Sequence, residues 1–207
     1  GVDCDHREAI SGVVAKEARV FHKERFIEAC RLALRDASPQ QAMNEVVAAA
    51  VRDTAGIEAE LGVPGQAGIG TILRSDDLTI LNVVWAPEMT IFPHNHEMWA
   101  VIGIYGGQED NAFYRRRTDG PGLQQVNGRS LFDHDTVVLG RDVIHAVTNP
   151  IRAYTGAIHV YGGDFFAAPR SEWVSAEAPE EPYSMDHALK AFADANERAQ
   201  TMLKGAS

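Results

Sequence analysis

From about Thr71 onward, the sequence is divided into short apolar runs separated by Gly, Pro, Asn and Asp. Each run is rich in Val, Ile and aromatic residues, which is typical of β-strands. Six runs are predicted as strands: Leu78–Trp85, Met89–Phe92, Trp99–Tyr105, Asn111–Arg116, Thr136–Leu139 and Ala153–Tyr161. Many short strands at close spacing predict an antiparallel sandwich or barrel. The fold is therefore expected to be mainly β.

The segments on either side of these runs have helical patterns. Residues 6–55 are rich in Ala, Glu and Lys, and their apolar side chains recur at helical spacing, as in Phe26, Cys30 and Leu34. Ser38 before Pro39 predicts a capped helix start, and Gly56 predicts a helix stop. Residues 185–202 are also predicted to be helical. We expect one structural domain, made of an N-terminal helical extension (1–56), a barrel (57–184) and a C-terminal helix (185–207).

Charge and cysteine content exclude several classes of function. The 207 residues carry a formal net charge of −10, which argues against a nucleic-acid surface or binding to anionic membranes. No run approaches the length of a membrane-spanning helix. The two cysteines, Cys4 and Cys30, are too few for a disulfide framework and fit a reducing compartment, so a cytoplasmic location is expected. A homo-oligomer is one arrangement that would cover exposed strand edges.

The first motif with chemical meaning is Pro93-His94-Asn95-His96. Side chains two positions apart on a strand point to the same face, so both imidazoles can reach one metal ion. Imidazole suits iron, zinc, copper and nickel. By itself, a pair of this kind is also compatible with histidines that only pack in a core.

A second motif follows about fifty residues later. His145 comes five residues after Gly140 and four before Asn149. Together, the two motifs resemble the signature motifs of the cupin superfamily, and this resemblance implies a double-stranded β-helix, a jelly-roll barrel, with a metal held by His94, His96 and His145. Many cupins add a glutamate ligand after the second histidine, where this chain has Ala100 and Val101. The resemblance therefore implies a neutral three-histidine site with open positions for substrate.

Further residues resemble the thiol dioxygenases, the family of cysteine dioxygenase and 3-mercaptopropionate dioxygenase. The stretch from His94 to Gly103 resembles the bacterial form of the first motif, and residues 157–161 resemble the family's Ser-x-His-x-Tyr strand. This resemblance covers roughly residues 71–165. It implies that Tyr161 is the active-site tyrosine and that His159 orients it. Ala157 replaces the serine of that strand, which removes an outer hydroxyl and puts the proton role of this group of residues in doubt.

A thiol carboxylate substrate needs a cation, and arginine pairs with a carboxylate through two hydrogen bonds. Arg74 precedes the strand that leads to the first motif, and Arg170 follows the last strand. The cysteine-specific branch takes its arginine from the earlier region, and the mercaptopropionate branch takes it from the later one. Both remain candidates. Glu109 is expected to be a surface residue at a strand end, and the alternative is a residue that supports the site from behind the metal ligands.

These observations predict a non-haem Fe(II) enzyme that uses O₂ to oxidise a small thiol carboxylate to its sulfinate. Because affinity for divalent metals follows the Irving–Williams order, purified samples are expected to carry nickel or zinc in some cases. Two alternatives stay open. One is a three-histidine cupin dioxygenase that cleaves a carbon–carbon bond of a diketone or enol, and the other is a non-catalytic cupin that binds a metal or a small ligand.

Overall fold

The structure is a computed structural model and describes residues 20–205. Cys4 and the helical pattern predicted over residues 6–19 lie outside that range. The helices are α1 (Lys23–Ala33), α2 (Pro39–Ala50), α3 (Thr54–Leu61) and α4 (Met185–Gly205). The strands are β1 (Gly68–Arg74), β2 (Thr79–Trp85), β3 (Thr90–Asn95), β4 (Ala100–Gly106), β5 (Glu109–Arg116), β6 (Leu123–Leu131), β7 (Thr136–Leu139), β8 (Ile144–Thr148), β9 (Thr155–Tyr161), β10 (Ser171–Glu172) and β11 (Glu181–Pro182).

The strands form two antiparallel sheets that enclose a barrel. One sheet has the order β1-β2-β9-β4-β7, and the other has the order β11-β10-β3-β8-β5-β6. From β2 to β9 the chain alternates between the sheets, except that β5 and β6 form a hairpin within one of them. This order is a jelly roll, and the predicted double-stranded β-helix is confirmed. The six predicted strands are present with ends shifted by a few residues, whereas β1, β6, β8, β10 and β11 were not predicted.

The central strands of the sheet that contains β9, namely β2, β9 and β4, are buried on both faces. All seven residues of β9 are buried. Inward-facing Leu81, Ile102 and Ala157 belong to the barrel core, and outward-facing Ile80 and Ile158 pack against the N-terminal helices. A strand buried on both faces has a nearly continuous apolar sequence. This burial explains why β2, β4 and β9 are easily recognised in the sequence, whereas the exposed β6 is not.

Helices α1 to α3 cover that outer face. Phe26, Cys30, Met43 and Val47 are buried in one cluster with residues of β2, β4 and β9. Helix α2 approaches β4 so closely that a Cβ atom placed on Gly103 would lie 2.6 Å from Cγ1 of Val47. The absence of a side chain at position 103 therefore allows this helix to pack on the sheet.

Helix α4 closes an opening of the barrel. Its buried face consists of Ala188, Phe192, Ala195 and Ala199, which belong to the barrel core cluster. The ring of Phe192 stacks on that of Trp85, with centroids 5.4 Å apart and planes inclined by 21°. The C-terminal helix thus becomes a wall of the barrel interior.

Two local predictions about the N-terminal helices are wrong. The stop predicted at Gly56 lies inside α3, because Asp53 caps a new helix by accepting a hydrogen bond from the Gly56 amide. The side chain of Ser38 does not cap α2, although this helix does begin at Pro39. None of the helices within residues 20–205 combines the length and the apolar character that a membrane crossing requires.

Candidate metal centre

Three histidines come together inside the barrel near the end of β3. His94 lies on β3, His96 follows that strand directly, and His145 lies on β8, where it pairs in register with His94. The Nε2 atom of His96 lies 3.2 Å from Nε2 of His94 and 3.3 Å from Nε2 of His145. Such spacings suit ligands of one ion with metal–nitrogen bonds of about 2.0–2.1 Å. The donor set fits a metal site.

Hydrogen bonds orient two of these imidazoles. Nδ1 of His94 lies 3.0 Å from the carbonyl oxygen of Phe92, and Nδ1 of His145 lies 2.7 Å from Oδ1 of Asn111. Because both oxygens only accept hydrogen bonds, each Nδ1 carries the proton. The Nε2 lone pairs of these two histidines then face the centre of the cluster, as metal ligation requires.

Burial keeps the three imidazoles neutral. Removal from water lowers the pKa of His94 to about 4 and holds the pKa of His96 and of His145 well below 6.5. The charged form is disfavoured because a low-dielectric interior solvates it poorly. At neutral pH all three side chains can therefore act as ligands. Within the described residues, no carboxylate joins this cluster.

A small cavity of about 30 Å³ lies beside the histidines. Since one water needs about 10–15 Å³ measured in this way, the cavity suits a ligand of few atoms. Its walls are mostly apolar, and both sheets and α4 contribute to them. The lining residues are Ile69, Leu81, Val83, Trp85, Ile91, His94, His96, His145, Val147, His159, Tyr161, Phe165, Tyr183, Ala188 and Phe192.

Tyr161 and His159 occupy the same cavity and contact each other. The hydroxyl of Tyr161 lies 3.0 Å from Nδ1 of His159, and its ring centroid lies 5.0 Å from that of His96. Burial raises the pKa of Tyr161, so the phenol is protonated at neutral pH. The structure therefore brings both residues beside the three histidines.

The two candidate arginines have different surroundings. Arg74 is half exposed, and its Nε and Nη2 atoms donate to both carboxylate oxygens of Asp164 at 2.9 Å. Arg170 is 8% exposed, and its guanidinium carbon lies 4.1 Å from the ring centroid of Phe165 and 3.9 Å from that of Tyr183. Both of those rings line the cavity, so an aromatic ring separates Arg170 from the cavity.

Arg170 also has buried donors without partners. Its Nη1 atom donates to the carbonyl oxygen of Phe165. Across residues 20–205, neither Nε nor Nη2 has a hydrogen-bond acceptor, and no carboxylate forms an ion pair with this side chain. Leaving buried charged donors unsatisfied is costly, so the arrangement is suited to an anion that reaches these two atoms.

Sequence reasoning missed several residues of this site. The expectation that Glu109 lies on the surface is wrong, because its side chain is completely buried. Asn111, Tyr183 and Phe192 were not singled out at all. No local pattern could have identified the last two, since they come from segments that follow the barrel strands and reach the cavity only through tertiary packing.

No protein-family model matches the sequence. Solved structures with a similar backbone include an RmlC-like cupin family protein with a double-stranded β-helix fold from Methanocaldococcus jannaschii, with 9% identity, a TM-score of 0.41 and coverage of 49% of this chain and 84% of that one. A protein from Bacillus halodurans has 16% identity, a TM-score of 0.44 and coverage of 52% and 77%. The DMSP lyase DddQ from Ruegeria pomeroyi has 18% identity, a TM-score of 0.40 and coverage of 50% of each chain.

The neighbours include proteins described as cupins or as having a double-stranded β-helix. At these identities and TM-scores they add nothing about activity. The fold of this chain rests on its own strand order, and its candidate site rests on the three buried histidines.

Proposed function

We propose that this protein is a metal-dependent thiol dioxygenase that oxidises a small thiol carboxylate, such as 3-mercaptopropionate or cysteine, to its sulfinate. The overall reaction joins one thiol and one O₂ molecule to give one sulfinic acid. Both oxygen atoms are transferred to sulfur, which is oxidised while O₂ is reduced. Ferrous iron held by His94, His96 and His145 would supply this redox chemistry.

The observation that carries the proposal is the combination of a neutral ligand set with a buried arginine, Arg170, whose Nε and Nη2 atoms have no acceptor among residues 20–205. Three neutral imidazoles leave the charge of a divalent ion uncompensated, which favours a thiolate as a further ligand. The guanidinium of Arg170 lies against the rings of Phe165 and Tyr183, and within the described part of the chain Nε and Nη2 remain available to pair with a carboxylate. A substrate with a thiol at one end and a carboxylate at the other matches both features.

Tyr161 has the position needed to orient the substrate. Its ring is buried beside that of His96, and burial keeps its hydroxyl protonated. The oxygen of this phenol can accept a hydrogen bond from the thiol group of a substrate that enters the cavity. The apolar walls around it exclude water, which strengthens such hydrogen bonds.

The experiment that tests the proposal is O₂ uptake by protein loaded anaerobically with Fe(II). The panel consists of 3-mercaptopropionate, cysteine, cysteamine and a β-diketone, and mass spectrometry identifies the product. Stoichiometric sulfinate from one thiol carboxylate supports the proposal. No uptake with any thiol, with bound iron demonstrated, contradicts it.

One observation favours a second function, the cleavage of a diketone or enol. The cavity walls are mostly aliphatic and aromatic, and no arginine side chain lies among the described residues that line the cavity. Three-histidine metal sites of this type also support carbon–carbon cleavage. Uptake with the β-diketone alone would establish this function in place of thiol oxidation.

A further inference from the structure

Glu109 is a completely buried carboxylate that receives hydrogen bonds at both of its oxygens. Oε2 accepts a hydrogen bond from Nε1 of Trp85 at 2.9 Å and lies 3.6 Å from Nε2 of His159. Oε1 accepts a hydrogen bond from Nδ2 of Asn111 at 2.9 Å. Each oxygen therefore begins a separate chain of polar contacts that leads toward the cavity.

The first chain leads to a metal ligand. Because the NH₂ group of Asn111 donates to Glu109, the other end of that amide, Oδ1, faces Nδ1 of His145 at 2.7 Å. An amide oxygen can only accept a hydrogen bond, so Nδ1 of His145 must carry the proton. The lone pair of this imidazole is then on Nε2, which faces His96.

The second chain leads to Tyr161. In the described part of the chain, Nε2 of His159 is buried and has no hydrogen-bond partner, and the Oε2 atom of Glu109 faces it. A carboxylate oxygen repels a lone pair and attracts an N–H group, so it favours the tautomer with the proton on Nε2. Nδ1 of His159 is then an acceptor, and the hydroxyl of Tyr161 donates to it at 3.0 Å.

We propose that Glu109 is a positioning residue that sets the proton direction of both chains, fixing His145 as a ligand through Nε2 and turning the hydroxyl proton of Tyr161 toward His159. This inference rests on the proposed function for the role of Tyr161, but not for the state of either histidine. A carboxylate is required because both of its oxygens accept hydrogen bonds.

The substitution Glu109→Gln must reverse the direction of hydrogen-bond donation along one of the two chains of contacts, because an amide has one acceptor end and one donor end. If the new oxygen faces Trp85, the new NH₂ group faces Asn111, whose amide turns and presents its own NH₂ group to His145. The proton of His145 then moves to Nε2 and blocks ligation. If the new oxygen faces Asn111 instead, the NH₂ group faces His159, and Nδ1 of that imidazole becomes the donor to Tyr161.

The test is ¹⁵N NMR of the histidine rings, which distinguishes the two tautomers, combined with zinc affinity by competition with a chelator. Wild-type protein is expected to carry the proton of His145 on Nδ1 and that of His159 on Nε2. Glu109→Gln is expected to move the ring proton of one of these histidines to its other nitrogen. If that histidine is His145, zinc affinity should fall by about 10- to 100-fold. The matched control is Glu88→Gln, since Glu88 is exposed and pairs with Arg152, and this variant should change neither readout.

Two results would overturn the inference. One is a wild-type His159 with its proton on Nδ1. The other is a folded Glu109→Gln protein that keeps both wild-type tautomers and its zinc affinity. If Glu109→Gln does not fold, the tautomers of the wild-type protein still test the inference. Trp85→Phe then serves as a second variant: it removes one hydrogen-bond donor to Glu109 but leaves the carboxylate, so His145 and His159 should keep their wild-type tautomers. Expected tautomers in a protein that oxidises no thiol would refute the proposed function and leave this inference standing.

Discussion

The guanidinium of Arg170 lies between the rings of Phe165 and Tyr183, 3.9 Å from the centroid of the latter. Its contacts with two aromatic faces hold the cation by cation–π attraction and leave its Nε and Nη2 atoms without acceptors among residues 20–205. Both rings also border the cavity at the three histidines. The arrangement places a positive charge, which has no carboxylate partner within the described residues, close to the candidate metal centre.

The first prediction concerns this arginine. Arg170→Met should raise the KM for a thiol carboxylate by about 30-fold or more, because losing one partner of a buried charge pair costs about 2 kcal/mol or more. Cysteamine has no carboxylate, so its KM should not rise. Arg74→Met is the matched control, since it removes only a half-exposed pair with Asp164. Steady-state O₂ uptake measures these KM values. A large rise in KM confined to Arg74→Met would assign the carboxylate to Arg74 instead of Arg170.

The second prediction concerns Tyr161. Tyr161→Phe removes only the hydroxyl that contacts His159 and should lower kcat by about 100-fold, as is typical when a positioned hydrogen-bonding group of an active site is lost. Metal content, measured by mass spectrometry after loading, should stay near that of the wild type. Loss of the metal in this variant would show that the tyrosine has a structural role instead.

The third prediction concerns the pH dependence of stability. The buried carboxylate of Glu172 accepts a hydrogen bond from Nδ1 of His187 at 2.6 Å, and this contact raises the pKa of His187 above 6.5. A raised pKa in the folded state means that the folded protein binds the proton more tightly than the unfolded chain. The contribution to stability is complete below pH 6.5 and is lost as the pH rises through the folded-state pKa.

Urea denaturation at several pH values measures this effect. The wild type should lose stability relative to His187→Gln as the pH rises from 6 toward 8.5, because only the wild type has the titrating contact. An equal pH dependence in the two proteins would contradict the assignment. Since His187 lies at the start of α4 and Glu172 on β10, the contact attaches the C-terminal helix to the sheet that carries His94.

The fourth prediction concerns the packing of α2 on β4. Gly103→Ala places a methyl group 2.6 Å from Cγ1 of Val47, closer than any normal contact. This overpacking should lower the free energy of unfolding by about 1–3 kcal/mol. Because Gly103 faces α2 and not the cavity, zinc affinity should not change. The double variant Gly103→Ala with Val47→Ala should recover part of the lost free energy of unfolding, measured by urea denaturation. If the effects of the two substitutions are simply additive, α2 moves away from β4 instead of being overpacked.

Several features of this protein follow from the sequence by itself. The strands that are buried on both faces were predictable, because their apolar runs are long and their boundaries contain Gly, Pro and Asn. The convergence of His94 and His96 was predictable too, since residues two apart on a strand share a face. These inferences succeed because they depend on local periodicity and not on which strands become neighbours.

Other features were decided only by the tertiary structure. The sequence places Glu109 at a strand end, but β5 lies between β6 and β8, and this position buries its carboxylate beside Trp85 and Asn111. The sequence offers Arg74 and Arg170 equally, but Asp164 pairs with the former and aromatic rings enclose the latter. These partners are distant along the chain, for example 90 residues apart for Arg74 and Asp164. Burial and pairing of this kind depend on long-range strand order, which no local sequence pattern encodes.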